Sequence, residues 1–148
     1  MNLIPEVSAI KEKLQQNAVS GKIAALYLYG SAVQGRLRID SDIDIALLAS
    51  YEVDAAERLA LISVVESVVS RLLREGGFRQ EISVADLRGK YMSISLQYKI
   101  ITEGMLVYEG DRGQRIDFEN AVKGEYFDFV PFLKYLRRRK RGNILQKT

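Results

Sequence analysis

The chain has 148 residues, 47% of them hydrophobic and 28% charged, which suits one folded domain with a sizeable core and argues against disorder. It contains neither Cys nor His, which removes disulfides, thiolate sites, His bases, His metal ligands and the Ser-His-Asp route together. The net charge of +3 is modest, and no stretch approaches the ~18 apolar residues of a membrane span.

The amino terminus has no basic segment ahead of a long apolar core, so no signal peptide is expected and a soluble, cytoplasmic protein is the default. Residues 5 to 18 read as a helix, with Val7, Ile10 and Leu14 at helical spacing and Pro5 in the first turn. Ser20-Gly21 breaks it. Residues 23 to 29 are continuously apolar and read as a buried strand that runs straight into Gly30-Ser31. A second strand opens at Ser41-Asp42 and continues to Leu48. Residues 53 to 75 form a long helix whose stripe is Leu59, Ile62, Val65, Val69 and Leu72. Gly76-Gly77 ends it with the residue type suited to a left-handed terminus.

A third strand is expected over residues 78 to 84, with Asp86 starting a turn or cap. Residues 93 to 103 read as a helix stopped by Gly104, and residues 105 to 108 as a short strand closed by Glu109-Gly110-Asp111. From Arg112 the chain reads as helical to about Arg141, with a kink or break near Val130 because Pro131 removes a hydrogen bond and clashes with the preceding turn. Phe118, Val122, Tyr126, Phe129, Phe132, Leu133 and Leu136 supply an aromatic-rich surface. It either packs on the domain's own core or serves a partner or a second copy in a homo-oligomer. Arg137-Arg138-Arg139-Lys140-Arg141 is an unbroken basic run. It reads as cations at a helix end, with nucleic-acid binding the lesser reading. The expected architecture is α/β (α+β): a small mixed sheet flanked by helices in residues 1–111, and a helical extension over 112–148 packed on it.

With His and Cys absent, any catalysis must rest on carboxylates, hydroxyls, basic side chains and bound metal, and the stretch from Gly30-Ser31 to Asp42 and Asp44 offers such groups. Side chains alternate across a strand, so Asp42 and Asp44 share one face while Ile43 and Ile45 take the other. Two close carboxylates repel unless a cation lies between them, and all-oxygen ligands suit Mg²⁺. Gly30-Ser31, at a strand end, would offer free backbone N–H groups to a phosphate. A phosphate cradle beside a carboxylate pair is equipment for metal-assisted phosphoryl or nucleotidyl transfer. Each piece alone also has an ordinary reading, as a turn or a solvated strand face; their conjunction at this spacing is what carries weight.

This pattern resembles the nucleotidyltransferases of the DNA polymerase β superfamily, whose signature is Gly-Ser, a Gly shortly after, then Ser-Asp-x-Asp and an apolar strand. The length and the later passage Glu103-Gly104, apolar strand, Tyr108-Glu109 are similar to the minimal nucleotidyltransferases paired with HEPN-domain toxins. The resemblance covers residues 14 to 111, and loosely the C-terminal helix. It implies the nucleotidyltransferase fold, with Mg²⁺ as cofactor and ATP as substrate. The implied reaction moves AMP from ATP to a tyrosine hydroxyl of a HEPN RNase toxin and silences it. Gly30, Ser31, Gly35 and Ser41 would bind nucleotide, and Asp42 and Asp44 would be catalytic and hold metal. Arg36 or Arg38 is a candidate to offset the leaving pyrophosphate, against a plain role as surface charge.

In that family a third carboxylate comes from a neighbouring strand, three positions before an Asp-Leu pair. Here the pair is Asp86-Leu87 and that position is Ser83. Glu81, two residues earlier on the same strand face, is the candidate replacement as catalytic and metal-binding residue if a register shift or bulge brings it in. If it does not reach, the alternative is an antitoxin that neutralises by binding alone. Transfer to a small-molecule hydroxyl is a further possibility, for which the chain is short unless it dimerises.

Overall fold

A computed structural model of the chain describes residues 4–35, 38 and 40–146. Helix α1 (Ile4–Gln15) and a 3₁₀ turn at Ser20–Lys22 lead into strand β1 (Ile23–Tyr29). Strand β2 (Ile43–Ala49), helix α2 (Ala55–Glu75) and strand β3 (Ile82–Asp86) follow. Helix α3 (Ile94–Glu103), strand β4 (Met105–Glu109) and helix α4 (Arg112–Gln146) complete the chain. The sheet has the order β3-β2-β1-β4. Strand β1 runs antiparallel to β2 and β4, and β2 runs parallel to β3. A parallel pair needs a crossover, which α2 provides.

Alternation divides the sheet into two faces. Leu26, Leu28, Ile43, Ile45 and Leu47 face one way, into a core closed by Ile10 and Leu14 of α1 and by Leu61, Val65, Val69 and Leu73 of α2. Tyr27, Ala46 and Leu48 face the other way, against Leu87, Ile100 and the half-buried Leu96 and Phe118 of α3 and α4. Strands covered on both faces read as continuous apolar runs, and β1 does. The helix starts are capped by side chains: Asp54 accepts from Glu57 N–H at 2.8 Å, Ser93 from Leu96 N–H at 3.1 Å, and Asp111 from Gln114 N–H at 3.0 Å. Gly77, with φ +86°, takes the left-handed conformation that follows α2.

Several expectations are corrected. The third strand begins at Ile82, not at Phe78. Phe78 N–H instead donates to the Leu73 carbonyl at 2.8 Å, closing the end of α2, and the Gln80 amide donates to the Arg38 carbonyl at 3.1 Å. Leu59 is 68% exposed, and Leu61 takes the inward position. At 100° per residue those two lie nearly opposite each other on the helix. Asp86 ends β3, where it accepts from Arg88 N–H and pairs with Arg58 of α2 at 2.8 Å.

Helix α4 runs across Pro131 without the expected break. Pro131 is exposed, so the carbonyl one turn earlier, which loses its donor, can turn to water. The aromatic surface of α4 divides. Phe118 and Val122 pack on the domain, and Tyr126 stacks on Tyr98 of α3 with ring centroids 3.8 Å apart. Phe132 and Leu136 stand 52% and 44% exposed. Among the described residues no helix is long and apolar enough to cross a membrane.

Candidate active site

Strand β1 stops at Tyr29 because Gly30 turns the chain with φ +75°, a conformation that costs other residues about 1–2 kcal/mol. A 3₁₀ turn over Gly30–Ala32 follows, and the N–H groups of Val33 and Gln34 close back on the Gly30 carbonyl at 3.2 and 3.3 Å. Gly30 is needed for space as well. A Cβ there would lie 2.6 Å from Asp44 Oδ2, so only glycine lets the bend sit against that carboxylate. Gly35, with φ +71°, faces open space: a Cβ at this position would meet nothing within 4 Å, and the requirement is purely conformational.

Strand β2 begins at Ile43, just after the Ser41-Asp42 opening expected from the sequence. Ser41 is held in a local turn: its N–H donates to the Arg38 carbonyl at 3.1 Å, and its hydroxyl accepts from Arg38 N–H at 3.2 Å. The ladder therefore starts with Ile43 N–H donating to the Glu81 carbonyl at 2.8 Å. Asp42 is exposed at the strand mouth and Asp44 is half-buried. Burial, and then the nearby Asp42 charge, push the Asp44 carboxyl above the usual carboxylate range.

The register sets Asp44 between Tyr29 of β1 and Ser83 of β3. Tyr29 is a site residue that sequence reasoning missed. Burial and the Asp44 charge raise its phenol above the ordinary tyrosine value. Its signal was in the chain, as the last alternating position before Gly30, in phase with Tyr27. Glu81 is exposed, one residue ahead of β3. Among the described residues no three acidic side chains come together to hold a metal, and Ser83, not an acid, is Asp44's neighbour in the ladder. Arg38 is exposed and borders an open hollow with Ser31, Asp40 and Ser41; Arg36 lies outside the described residues.

The donors fit a magnesium nucleotide: two carboxylates close enough for the charge of one to act on the other, hydroxyls nearby, and a glycine bend that sits against Asp44 Oδ2. A wider groove of about 570 Å³, bordered by Lys13 and Asn17 and by Ser67 and Arg71 of α2, lies on the other side of the sheet from this pair.

The family described as Polymerase beta, Nucleotidyltransferase matches residues 8–113. No curated protein matches the sequence. Among solved structures, the chain is similar to a toxin-antitoxin structure with AMP-PNP, at TM-score 0.63 and 23% identity over 89% of this chain and 96% of that one. It is also similar to a chain of the tri-AMPylated Shewanella oneidensis HEPN toxin in complex with MNT antitoxin, at TM-score 0.58 and 19% identity over 90% and 97% of the two chains. A toxin-antitoxin MntA-HepT structure matches at TM-score 0.53 and 20% identity over 96% and 98%. At these identities the likeness speaks for the fold. The family match spans most of the chain and includes every residue of the glycine-serine bend and the aspartate pair, and this protein belongs to the polymerase β nucleotidyltransferase family.

Proposed function

We propose that this chain is a magnesium-dependent nucleotidyltransferase antitoxin that moves AMP from ATP to a tyrosine hydroxyl of a HEPN RNase toxin. The observation that carries the reading is the Asp42 charge acting on Asp44 with Gly30 packed against Asp44. The similar structures that contain AMP-PNP, or an AMPylated HEPN toxin with an MNT antitoxin, support the choice of nucleotide and acceptor.

In this reading Asp42 and Asp44 hold magnesium, which when bound neutralises polyphosphate charge and favours ionisation of an attacking hydroxyl. Gly30 and Ser31 donate to the terminal phosphates, with Gly35 and Ser41 shaping the loop around them. Arg38, or Arg36, offsets charge on the departing pyrophosphate. The tyrosine oxygen bonds to the α-phosphorus as the bond from that phosphorus to the bridging oxygen breaks. Pyrophosphate leaves, and the phenolic proton passes to Glu81 or to water. Glu81 reaches this role only by swinging its side chain toward Asp42, whose level it shares when the β2–β3 register is continued one step outward.

Labelled ATP with Mg²⁺, incubated with and without a HEPN-domain partner, tests the proposal. Label should appear on the partner and fall about 100-fold or more with Asp42→Asn, equivalent to roughly 2.7 kcal/mol of barrier. No label on any partner, with Asp42→Asn indistinguishable from the parent, would refute enzymatic action.

Ser83 beside Asp44 favours a second reading, neutralisation by binding alone. In that case Asp42→Asn combined with Asp44→Asn still neutralises the toxin. If the double variant binds the toxin yet fails to neutralise it, occlusion is excluded.

A further inference from the structure

Glu103-Gly104 has no part in the chemistry above, yet the fold brings it to the site. A side chain on Gly104 would collide with the Ile100 carbonyl and come within 3.1 Å of the Leu28 carbonyl. Glycine there lets the end of α3 press against β1 just ahead of the Gly30 bend. Between the two lies a recess of about 140 Å³, walled by Tyr29, Gly30 and Val33 on one side and Leu96, Lys99 and Glu103 on the other. It adjoins the aspartate pair, because the Gly30 that lines it is the residue in contact range of Asp44. Its walls are largely apolar, and its charged residues stand four apart on α3 with exposed side chains. Among the described residues neither Lys99 nor Glu103 takes part in an ion pair.

We infer that this recess seats the nucleobase of the nucleotide, with Glu103 and Lys99 reading the edge of the ring. The inference rests on the magnesium-nucleotide reading of the neighbouring site. An apolar slot bordered by a tyrosine suits a flat heteroaromatic ring, which stacks and excludes water. One acceptor beside one donor selects among purines. Adenine presents its N6 amine as donor next to the N7 acceptor, whereas guanine presents two acceptors, O6 and N7. Glu103 accepts from the amine and Lys99 donates to the ring nitrogen. Guanine would set its O6 acceptor against the Glu103 carboxylate, so that two acceptors face each other where adenine pairs a donor with an acceptor. The phosphate tail is a poorer occupant, since Glu103 repels it and the walls are largely apolar.

Calorimetric titration of the full chain with Mg-ATP, Mg-GTP and Mg-tripolyphosphate separates these possibilities. Leu96→Trp fills the recess; it should weaken Mg-ATP at least tenfold and leave Mg-tripolyphosphate within twofold. Glu103→Gln, an exposed change that decides the matter if Leu96→Trp misfolds by circular dichroism, should reduce the preference for Mg-ATP over Mg-GTP at least fivefold. Parent binding of Mg-ATP with no change in either variant would overturn the nucleobase seat alone. Equal loss of Mg-tripolyphosphate in Leu96→Trp would overturn it in favour of a phosphate site. No Mg-ATP binding by the parent chain would overturn the nucleotide reading on which it rests.

Discussion

Gly30 meets two demands at one position, a left-handed φ of +75° and an approach to Asp44 that leaves no room for a methyl group. Gly30→Ala should therefore cost about 1–3 kcal/mol of stability, the range for a strained backbone position. It should also lower Mg-ATP affinity by more than the stability loss accounts for, because Asp44 must move; chemical denaturation and nucleotide titration on the same sample check both. Asp44 has the opposite stability balance. Burial and Asp42 raise its pKa, so its charged form opposes folding in metal-free protein. Asp44→Asn should raise the melting temperature of the metal-free chain and abolish the further rise that Mg-ATP gives the parent. A melting temperature that falls in the metal-free variant would show that Asp44 serves the fold rather than the ligand.

At the scale of elements, β1 is tied to α4 through Tyr27, whose buried hydroxyl donates to Glu119 at 2.7 Å while Arg115 bridges Glu119 and Glu109 at 3.0 and 2.8 Å. Burial first, and then Glu119, push the Tyr27 phenol far above its ordinary value. The unfolded chain thus releases that proton first on alkalinisation, and native stability declines with pH above the free tyrosine value of about 10. Its contribution is complete below that pH. Tyr27→Phe should lose about 1 kcal/mol at pH 8 and show a shallower decline between about pH 9.5 and 11 in urea unfolding. Unchanged alkaline sensitivity would assign it to other tyrosines.

These elements also show how far the sequence could be read. The span of β1 and the Gly30 bend follow from local alternation and residue type, and they stand where expected. The start of β3 did not follow, because Phe78 and Gln80 are committed to Leu73 and to the distant Arg38 carbonyl, not to a ladder. Leu59 misled because a stripe of leucine and valine admits two rotations, and only packing against α1 and the sheet chooses Leu61. Pro131 left a kink and a break both open, and the helix continues through it because the cost of a helix proline depends on exposure, which sequence does not state. The recess beside Glu103 was hidden because it arises where α3 meets β1, far apart along the chain.

Over the whole molecule, a four-stranded sheet covered by helices on both faces holds the candidate site at one end, where β1 stops and β2 begins. The core fixes the register, the register sets Asp44 next to Tyr29 and Ser83, and glycine at position 30 lets the bend sit against that carboxylate. Helix α4, 35 residues and so about 52 Å long, contributes its first half to the body, and the exposed Phe132, Tyr135 and Leu136 lie in its second. Everything proposed for the site depends on that end of the sheet accepting a magnesium nucleotide. The most direct measurement is calorimetric titration of Mg-ATP into the intact chain and into the Asp42→Asn/Asp44→Asn double variant. The account predicts saturable, magnesium-requiring uptake at one site per chain, lost in the double variant while its circular dichroism is unchanged. No uptake by the parent, or equal uptake by the double variant, would contradict it.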